Sequence, residues 1–172
     1  MVLDELDHPV KELVWIVQND QRVGLSSSNN WTNFAADAKV PLDAFTTTTA
    51  ANTNYGTLNT LDESAGTNIQ LNGQDRFYAR EGSYFNNVQP YQHHESPGGN
   101  PGINVYSFAL KPEEHQPSGT LNFSRIDTAY LNLKFSQLNA TNNLLTAKAK
   151  IFAVNYNVLR IMSGMGGLAY SN

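Results

Sequence analysis

Histidine and glutamate side chains, which can bind metal ions or transfer protons, gather at one place in this sequence. His93, His94 and Glu95 are consecutive, and His115 follows after a stretch rich in proline and glycine. Adjacent residues of a strand point to opposite faces, so His93 and His94 cannot readily share one ion. The sequence therefore predicts no metal and no cofactor here, and these histidines are interpreted as loop residues that bond neighbouring backbone.

Residues suited to nucleophilic or carboxylate catalysis are present, but they lack the neighbours that such chemistry needs. Ser124 lies beside Arg125, and Ser163 lies among glycines, yet neither has a base at a recognisable spacing and no Gly-x-Ser-x-Gly segment occurs. Glu113 and Glu114 are adjacent, and the prolines that flank them favour a rigid, solvated turn. The sequence therefore predicts no catalytic residue, and the protein is interpreted as not being an enzyme.

Composition narrows the class of protein further. The chain has 172 residues, no cysteine and a formal net charge of −4. Thiol catalysis and disulfides are thereby excluded, and this charge does not favour nucleic-acid binding. No apolar run reaches the ~20 residues of a membrane span, and the acidic start is unlike a signal peptide. Residues 1–95 hold 12 acids and 5 bases, whereas residues 96–172 hold 3 acids and 6 bases, a difference that could help copies of the chain to pair.

Short apolar runs separated by turn signals predict many strands. Residues 13–17 read as a strand covered on both faces, and Asn72-Gly73 predicts a hairpin turn into a strand over 76–80. A short helical turn is expected within 81–91, ended by Pro90. Together these patterns predict an all-β fold of seven to nine strands, a jelly-roll β-sandwich with one short helical turn.

Two further segments have less regular patterns. Residues 145–162 predict one long strand, or a strand with a bulge near Asn155, followed by a loose tail in which Leu168 and Tyr170 should be buried somewhere. A long loop excursion is expected over about 19–66, with a short strand near 38–45. Since no interdomain linker is visible, residues 1–172 are predicted to form a single domain.

Several long segments resemble one known family. They are 8–15 (HPVKELVW), 71–77 (LNGQDRF), 88–94 (VQPYQHH), 102–120, 122–127 (NFSRID) and 153–172 (AVNYNVLRIMSGMGGLAYSN). In this order they resemble the carboxy-terminal part of the major capsid proteins of nucleocytoplasmic large DNA viruses, iridoviruses and their relatives in particular. The resemblance implies a double jelly roll that forms trimers of pseudo-hexagonal outline, which tile an icosahedral shell over an internal membrane.

This chain is too short for both rolls and resembles only the second. The resemblance implies other copies of the chain as partners, together with the first jelly roll, on the same or a separate chain, and minor capsid proteins. It implies a place in the virion capsid, with no direct nucleic-acid contact. The candidate assembly residues are His93, His94, His115, Arg125 and Asp127. Arg125 and Asp127 are expected to form a local ion pair on alternate positions of one face.

Two other readings of a jelly roll remain open from the residues themselves. One is a carbohydrate-binding module, in which aromatic residues such as Trp31 and Tyr91, beside Asn and Asp, would hold sugars. The other is a cupin-like metalloenzyme, although the alternating histidines that its metal site needs are absent.

Overall fold

The computed structural model describes residues 1–19, 66–95, 102–133 and 147–170. Nine strands lie in these ranges: β1 Pro9–Asn19, β2 Asn68–Leu71, β3 Gln74–Asp75, β4 Ile103–Ser107, β5 Leu121–Asn122, β6 Ala129–Asn132, β7 Ala147–Asn155, β8 Leu159–Met162 and β9 Met165–Leu168. The helical segments are a π-helical turn at Tyr84–Val88, a short helix α1 at Gln89–His93 and a 3-10 turn at Phe123–Arg125.

Strand β1 is the centre of the larger sheet. Strands β4 and β5 pair antiparallel with successive parts of one of its edges, and β7 pairs antiparallel along the other. Leu13, Trp15 and Val17 are buried, and the intervening Val14 and Ile16 are partly buried. This β-branched and aromatic run is therefore a strand covered on both faces, as its sequence predicts.

The second sheet has the order β3-β2-β6. The turn between β2 and β3 has positive φ at Asn72 (49°) and Gly73 (80°), which confirms the hairpin turn predicted from this pair. The prediction of a returning strand over 76–80 is wrong, because β3 ends at Asp75. The chain then leaves the sheet, and the Phe77 ring packs 4.9 Å from that of Tyr106 in the core.

Side chains from both sheets form one hydrophobic cluster. The Trp15 and Phe85 rings lie 5.2 Å apart at its centre, which ties β1 to the π-helical turn. Its fully buried aliphatic members are Val10, Leu13, Ile69 and Leu131. Because β1 supplies two of them and β2 and β6 one each, the two sheets pack as a sandwich.

The predicted helical turn is present, but Pro90 does not end it. Pro90 lies in the first turn of α1, where a backbone N–H has no partner within the helix, so the missing donor costs nothing. The helix continues to His93, and the extended backbone of His94 ends it. Pro90 is therefore accommodated within a helical segment that begins before it.

The carboxy-terminal region also differs from the prediction. Strand β7 ends at Asn155, and β8 and β9 form a separate hairpin through Ser163 and Gly164, both with positive φ. The register irregularity opposite Asn155 places the extra residue, Lys11, on β1. The tail is therefore an ordered hairpin, and Leu168 and Tyr170, which the sequence expects to be buried somewhere, are 64% and 58% exposed in this chain.

The predicted excursion and its strand near 38–45 fall on residues 20–65, which lie outside the described residues. The extent of the single domain stays a prediction for the same reason. In the part of the chain that the structure describes, no helix is long and apolar enough to cross a membrane.

Candidate functional site at a clamped loop and an apolar hairpin

The segment 108–120, here called the clamped loop, lies against the end of α1 and the start of β1. His94 connects the three elements. Its Nδ1 lies 2.9 Å from Oε1 of Glu113 in the loop, and its Nε2 lies 3.0 Å from Oε2 of Glu12 in β1. An imidazolium has two N–H donors and suits two carboxylates, whereas a neutral ring can donate to one. The Glu12 contact lacks hydrogen-bond alignment, so it is an ion pair only when the imidazole is protonated.

Glu113 receives further support from the backbone. The Glu95 N–H donates to its Oε2 over 3.1 Å. This bond first, and the hydrogen bond from His94 second, lower the pKa of the Glu113 carboxyl below its ordinary value. The His93 ring contacts the Leu110 carbonyl oxygen, with Nδ1 at 3.1 Å. Both histidines therefore contact atoms of the clamped loop, but they differ from the predicted loop histidines that bond neighbouring backbone, because His93 ends α1 and His94 contacts carboxylate side chains.

Lys11 fastens the same loop from β1. Its side chain is buried, and Nζ donates to the Pro112 carbonyl oxygen over 2.6 Å while lying 5.0 Å from the centre of the Tyr156 ring. The Lys11 carbonyl oxygen accepts from the backbone N–H groups of Phe108 and Ala109. The bulge in β1 thus presents both the ammonium and the carbonyl of one residue to the loop.

The remaining candidate residues are exposed. His115, Arg125 and Asp127 face solvent, and among the described residues no group of three His, Asp or Glu side chains is arranged so that it could hold a metal ion. The expected ion pair between Arg125 and Asp127 is wrong: the ion pairs of the described residues are those of His94 and the pair Lys111–Glu114. Arg125 ends a 3-10 turn, so the alternation that a strand would give is lost.

Two side chains make long-range hydrogen bonds around Arg125 and Asp127 that the sequence analysis did not predict. Ser124 Oγ accepts the His8 backbone N–H over 2.9 Å. Asn72 Oδ1 accepts the N–H groups of Asp127 and Thr128 over 3.0 and 3.1 Å. These bonds join segments far apart in sequence, so no local spacing announces them.

The hairpin β8–β9, here called the apolar hairpin, is the opposite kind of surface. All eight of its strand residues are exposed. Its large side chains are Leu159, Ile161, Met162, Met165 and Leu168, and Ile161 is 70% exposed. The apolar surface extends onto β7, where Phe152 and Val154 face solvent while the alternating Ile151 and Ala153 pack on the core. Exposed apolar surface of this extent marks a place of interaction.

A half-open cleft of about 320 Å³ lies at the base of this hairpin. The His8 and Tyr170 rings stand 5.9 Å apart beside it. Its lining residues are His8, Pro9, Asn122, Ser124, Tyr156, Asn157, Val158 and Tyr170. Tyr91, one of the two aromatics considered for sugar binding, is 80% exposed on α1 and does not line this cleft, and Trp31 lies outside the described residues.

The packed antiparallel sheets and the short helix define an all-β sandwich that carries an exposed apolar hairpin. Residues 5–167 match the model of the family described as large eukaryotic DNA virus major capsid protein. The chain belongs to this family.

Individual relatives agree. The chain is 70% identical over 105 residues to the major capsid protein of Phaeocystis pouchetii virus, in an alignment that covers 60% of this chain and 20% of the relative. It is 45% identical to the major capsid protein of Paramecium bursaria Chlorella virus 1, with 96% of this chain and 42% of the relative covered. The chain therefore spans less than half the length of the curated relatives it matches.

Solved structures support the same assignment. A quasi-atomic model of the Paramecium bursaria Chlorella virus 1 capsid matches with a TM-score of 0.67 and 41% identity, over all of this chain and 45% of that chain. The Faustovirus major capsid protein matches with a TM-score of 0.61 at 15% identity, over 90% of this chain and 30% of that one, which supports the fold. The prediction of a jelly-roll sandwich is confirmed.

Proposed function

We propose that this chain is one jelly-roll unit of a viral major capsid protein and that it acts by self-association. In this proposal it contributes to trimeric, pseudo-hexagonal capsomers that tile the icosahedral capsid of a large double-stranded DNA virus. The observation that carries the proposal is the family match over nearly the whole chain. The exposed apolar hairpin on a sandwich with a well-packed core supports it, because such a surface suits lasting association.

We propose that this role involves no catalysis. The serine with the most suggestive neighbours, Ser124, accepts a backbone N–H from His8, which is a structural use of its hydroxyl. Glu113 and Glu114, the adjacent carboxylates, contact His94 and Lys111 as parts of the clamped loop. These residues are thus engaged in holding the fold.

The partners in this proposal are other copies of the chain, the first jelly roll of the same or a separate chain, and minor capsid proteins. A position near an internal membrane belongs to the same proposal. Direct nucleic-acid contact is not part of it, because the net charge is −4.

Among the candidate assembly residues, we propose contact roles for His115, Arg125 and Asp127, because their side chains are exposed. His93 and His94 are half-buried and bond the clamped loop, so their proposed contribution to assembly is to hold that loop in place.

The proposal is tested in a chimera in which this chain replaces the aligned region of the Paramecium bursaria Chlorella virus 1 major capsid protein. Size-exclusion chromatography with light scattering should find a mass of three subunits. A chimera that folds and stays monomeric at all concentrations would contradict self-association.

Arg125→Ala should weaken trimer formation without changing the unfolding midpoint. Arg76→Ala, which also replaces an exposed arginine, is the control and should leave trimer formation unchanged. Unchanged assembly of Arg125→Ala would remove the proposed role of that residue.

A further inference from the structure

We propose that the apolar hairpin, together with the outer face of β7, is the surface on which the remainder of the longer capsid subunit docks. The partner is therefore the part of the same subunit that lies outside this chain, and the contact is permanent. This inference rests on the proposed function, because it takes the chain to be one part of a larger subunit.

The apolar hairpin has no packed face among the described residues. Strands β8 and β9 pair with each other, and neither pairs with another strand of the described chain. Side chains of successive residues in a strand point to opposite faces, and here both faces are exposed. A two-stranded hairpin without a packed face is at best marginally stable in water. Its ordered geometry therefore requires a surface, beyond the described residues, that packs against it.

The chemistry of the surface selects a permanent partner. Arg160 is the one charged residue between 156 and 170, a segment that contributes seven large exposed apolar side chains. Obligate interfaces are more apolar and poorer in charge than those of partners that come and go. A subunit that exposed this surface during its free lifetime would aggregate, so the cover is expected to be present in the same polypeptide or bound to it from the start.

The length of the relatives supplies such a cover. The chain corresponds to 42% of the Paramecium bursaria Chlorella virus 1 protein and to 45% of the capsid chain in its solved structure. More than half of the subunit thus lies outside this chain. A domain joined covalently to it meets the hairpin at a high effective concentration and at a fixed ratio of one to one.

The cleft at the base of the hairpin gives the contact a point of anchorage. Its volume of about 320 Å³ is bounded by the His8 and Tyr170 rings. Interfaces concentrate their binding energy where a side chain of one partner fills a pocket of the other. We expect an aromatic or aliphatic side chain of the covering domain to enter here, so that the hairpin and the cleft are covered together.

The experiment measures protection of the hairpin in the chimera described above. The chain has no cysteine, so once the cysteines of the relative are replaced, Ile161→Cys can be labelled alone with a maleimide. Tyr91→Cys is the matched control, because both native side chains are highly exposed, at 70% and 80%. In the isolated chain the two positions should react at similar rates. In the chimera Ile161→Cys should react at least tenfold more slowly, with Tyr91→Cys unchanged.

Dilution identifies the partner. If the same subunit covers the hairpin, the slow labelling of Ile161→Cys should persist in monomers at nanomolar concentration. Protection that disappears as trimers dissociate would overturn the proposal in favour of a second copy. Protection acquired with anionic phospholipid vesicles alone would overturn it in favour of a membrane.

If the chimera does not fold, the unaligned part of the relative is supplied as a separate chain. Equal reactivity at both positions, in the chimera and with the separate chain, would also overturn the proposal.

The same samples separate the two proposals. A folded chimera that fails to form trimers but protects Ile161→Cys would contradict self-association and leave the docking surface standing. A trimer in which Ile161→Cys reacts freely would contradict the docking surface and leave self-association standing.

Discussion

The clamped loop and the apolar hairpin invert the usual placement of polar and apolar groups. At the loop, Lys11 and Glu12 are buried, and they meet partners within the chain. At the hairpin, apolar side chains such as Ile161 and Met165 are exposed and have little of the chain to pack against. Polar residues are thus inside in one region, and apolar residues are outside in the other.

The difference separates a region that serves the fold from one that, under the proposal above, serves assembly. A buried charge is costly unless it is paired, so the partners of Lys11 and Glu12 are part of the folded state itself. Exposed apolar groups lower the solubility of the isolated chain, and their burial against another surface stabilises the complex. Mutations in the loop should therefore change stability, and mutations in the hairpin should change association.

The largest expected contrast is between two isoleucines. Ile69→Ala, at a fully buried site, should lower the free energy of unfolding by about 2–5 kcal/mol through lost burial and a cavity. Ile161→Ala, in the hairpin, should change it by less than about 0.5 kcal/mol in the isolated chain. Urea denaturation of both variants measures the difference. A large loss from Ile161→Ala would show that the hairpin packs on the chain's own core.

A buried lysine tests the loop. Lys11→Met keeps the apolar stem but removes the donor to Pro112 and the ammonium beside Tyr156. We expect a loss of about 1.5–3 kcal/mol in unfolding free energy, the usual range for a hydrogen bond from a charged group. Lys148→Met, at an exposed position of β7, is the control and should be neutral. If both variants unfold at the same urea concentration, Lys11 is not a fastening of the loop.

Low pH should weaken the contacts that the Glu113 carboxylate makes in the clamped loop. Its folded pKa lies below the ordinary value of 4.5, so its contribution to stability is present above pH 4.5 and is lost as pH falls through the lowered pKa. The amide of Glu95, which donates to this carboxylate, should exchange its hydrogen faster, relative to the intrinsic rate, at that low pH. Glu113→Gln should remove this pH dependence, and an unchanged profile would exclude the carboxylate as its cause.

The smallest effect is expected at the surface of the same loop. Lys111 and Glu114 form an ion pair of 2.9 Å between two well-exposed side chains, and water and salt screen such a pair. The pKa of Lys111 is raised by its hydrogen bond and charge interaction with Glu114. Lys111→Ala should leave the urea midpoint unchanged within error, unlike Lys11→Met. A clear drop would mean that the outer contacts of the loop matter as much as the buried ones.

The parts of the fold that depend on neighbouring residues could be predicted from the sequence. Asn72 and Gly73 specify their turn because two adjacent residues that accept positive φ suffice for it. Strand β1 was evident because its β-branched and aromatic residues are consecutive. Pro90 was misjudged because proline ends a helix from within but is welcome in its first turn, and composition alone does not locate that turn.

The contacts that hold the clamped loop could not be predicted from the sequence. Glu12, His94 and Glu113 come from three distant segments and meet through the packing of β1 against β4 and the helix. Leu168 and Tyr170 were expected to be buried because large apolar residues usually are. That reasoning assumes that a chain covers its own apolar groups. Here the cover is proposed to come from elsewhere in the subunit, which no pattern within this chain reveals.

The position of β1 has a consequence for synthesis. This strand leaves the ribosome well before β7, residues 147–155, which completes one of its edges. Until then the nascent chain carries a long apolar strand with an open edge, the kind of template on which chains pair wrongly. Production of the protein in large numbers in a crowded cell therefore depends on keeping β1 shielded while the rest of the chain is translated.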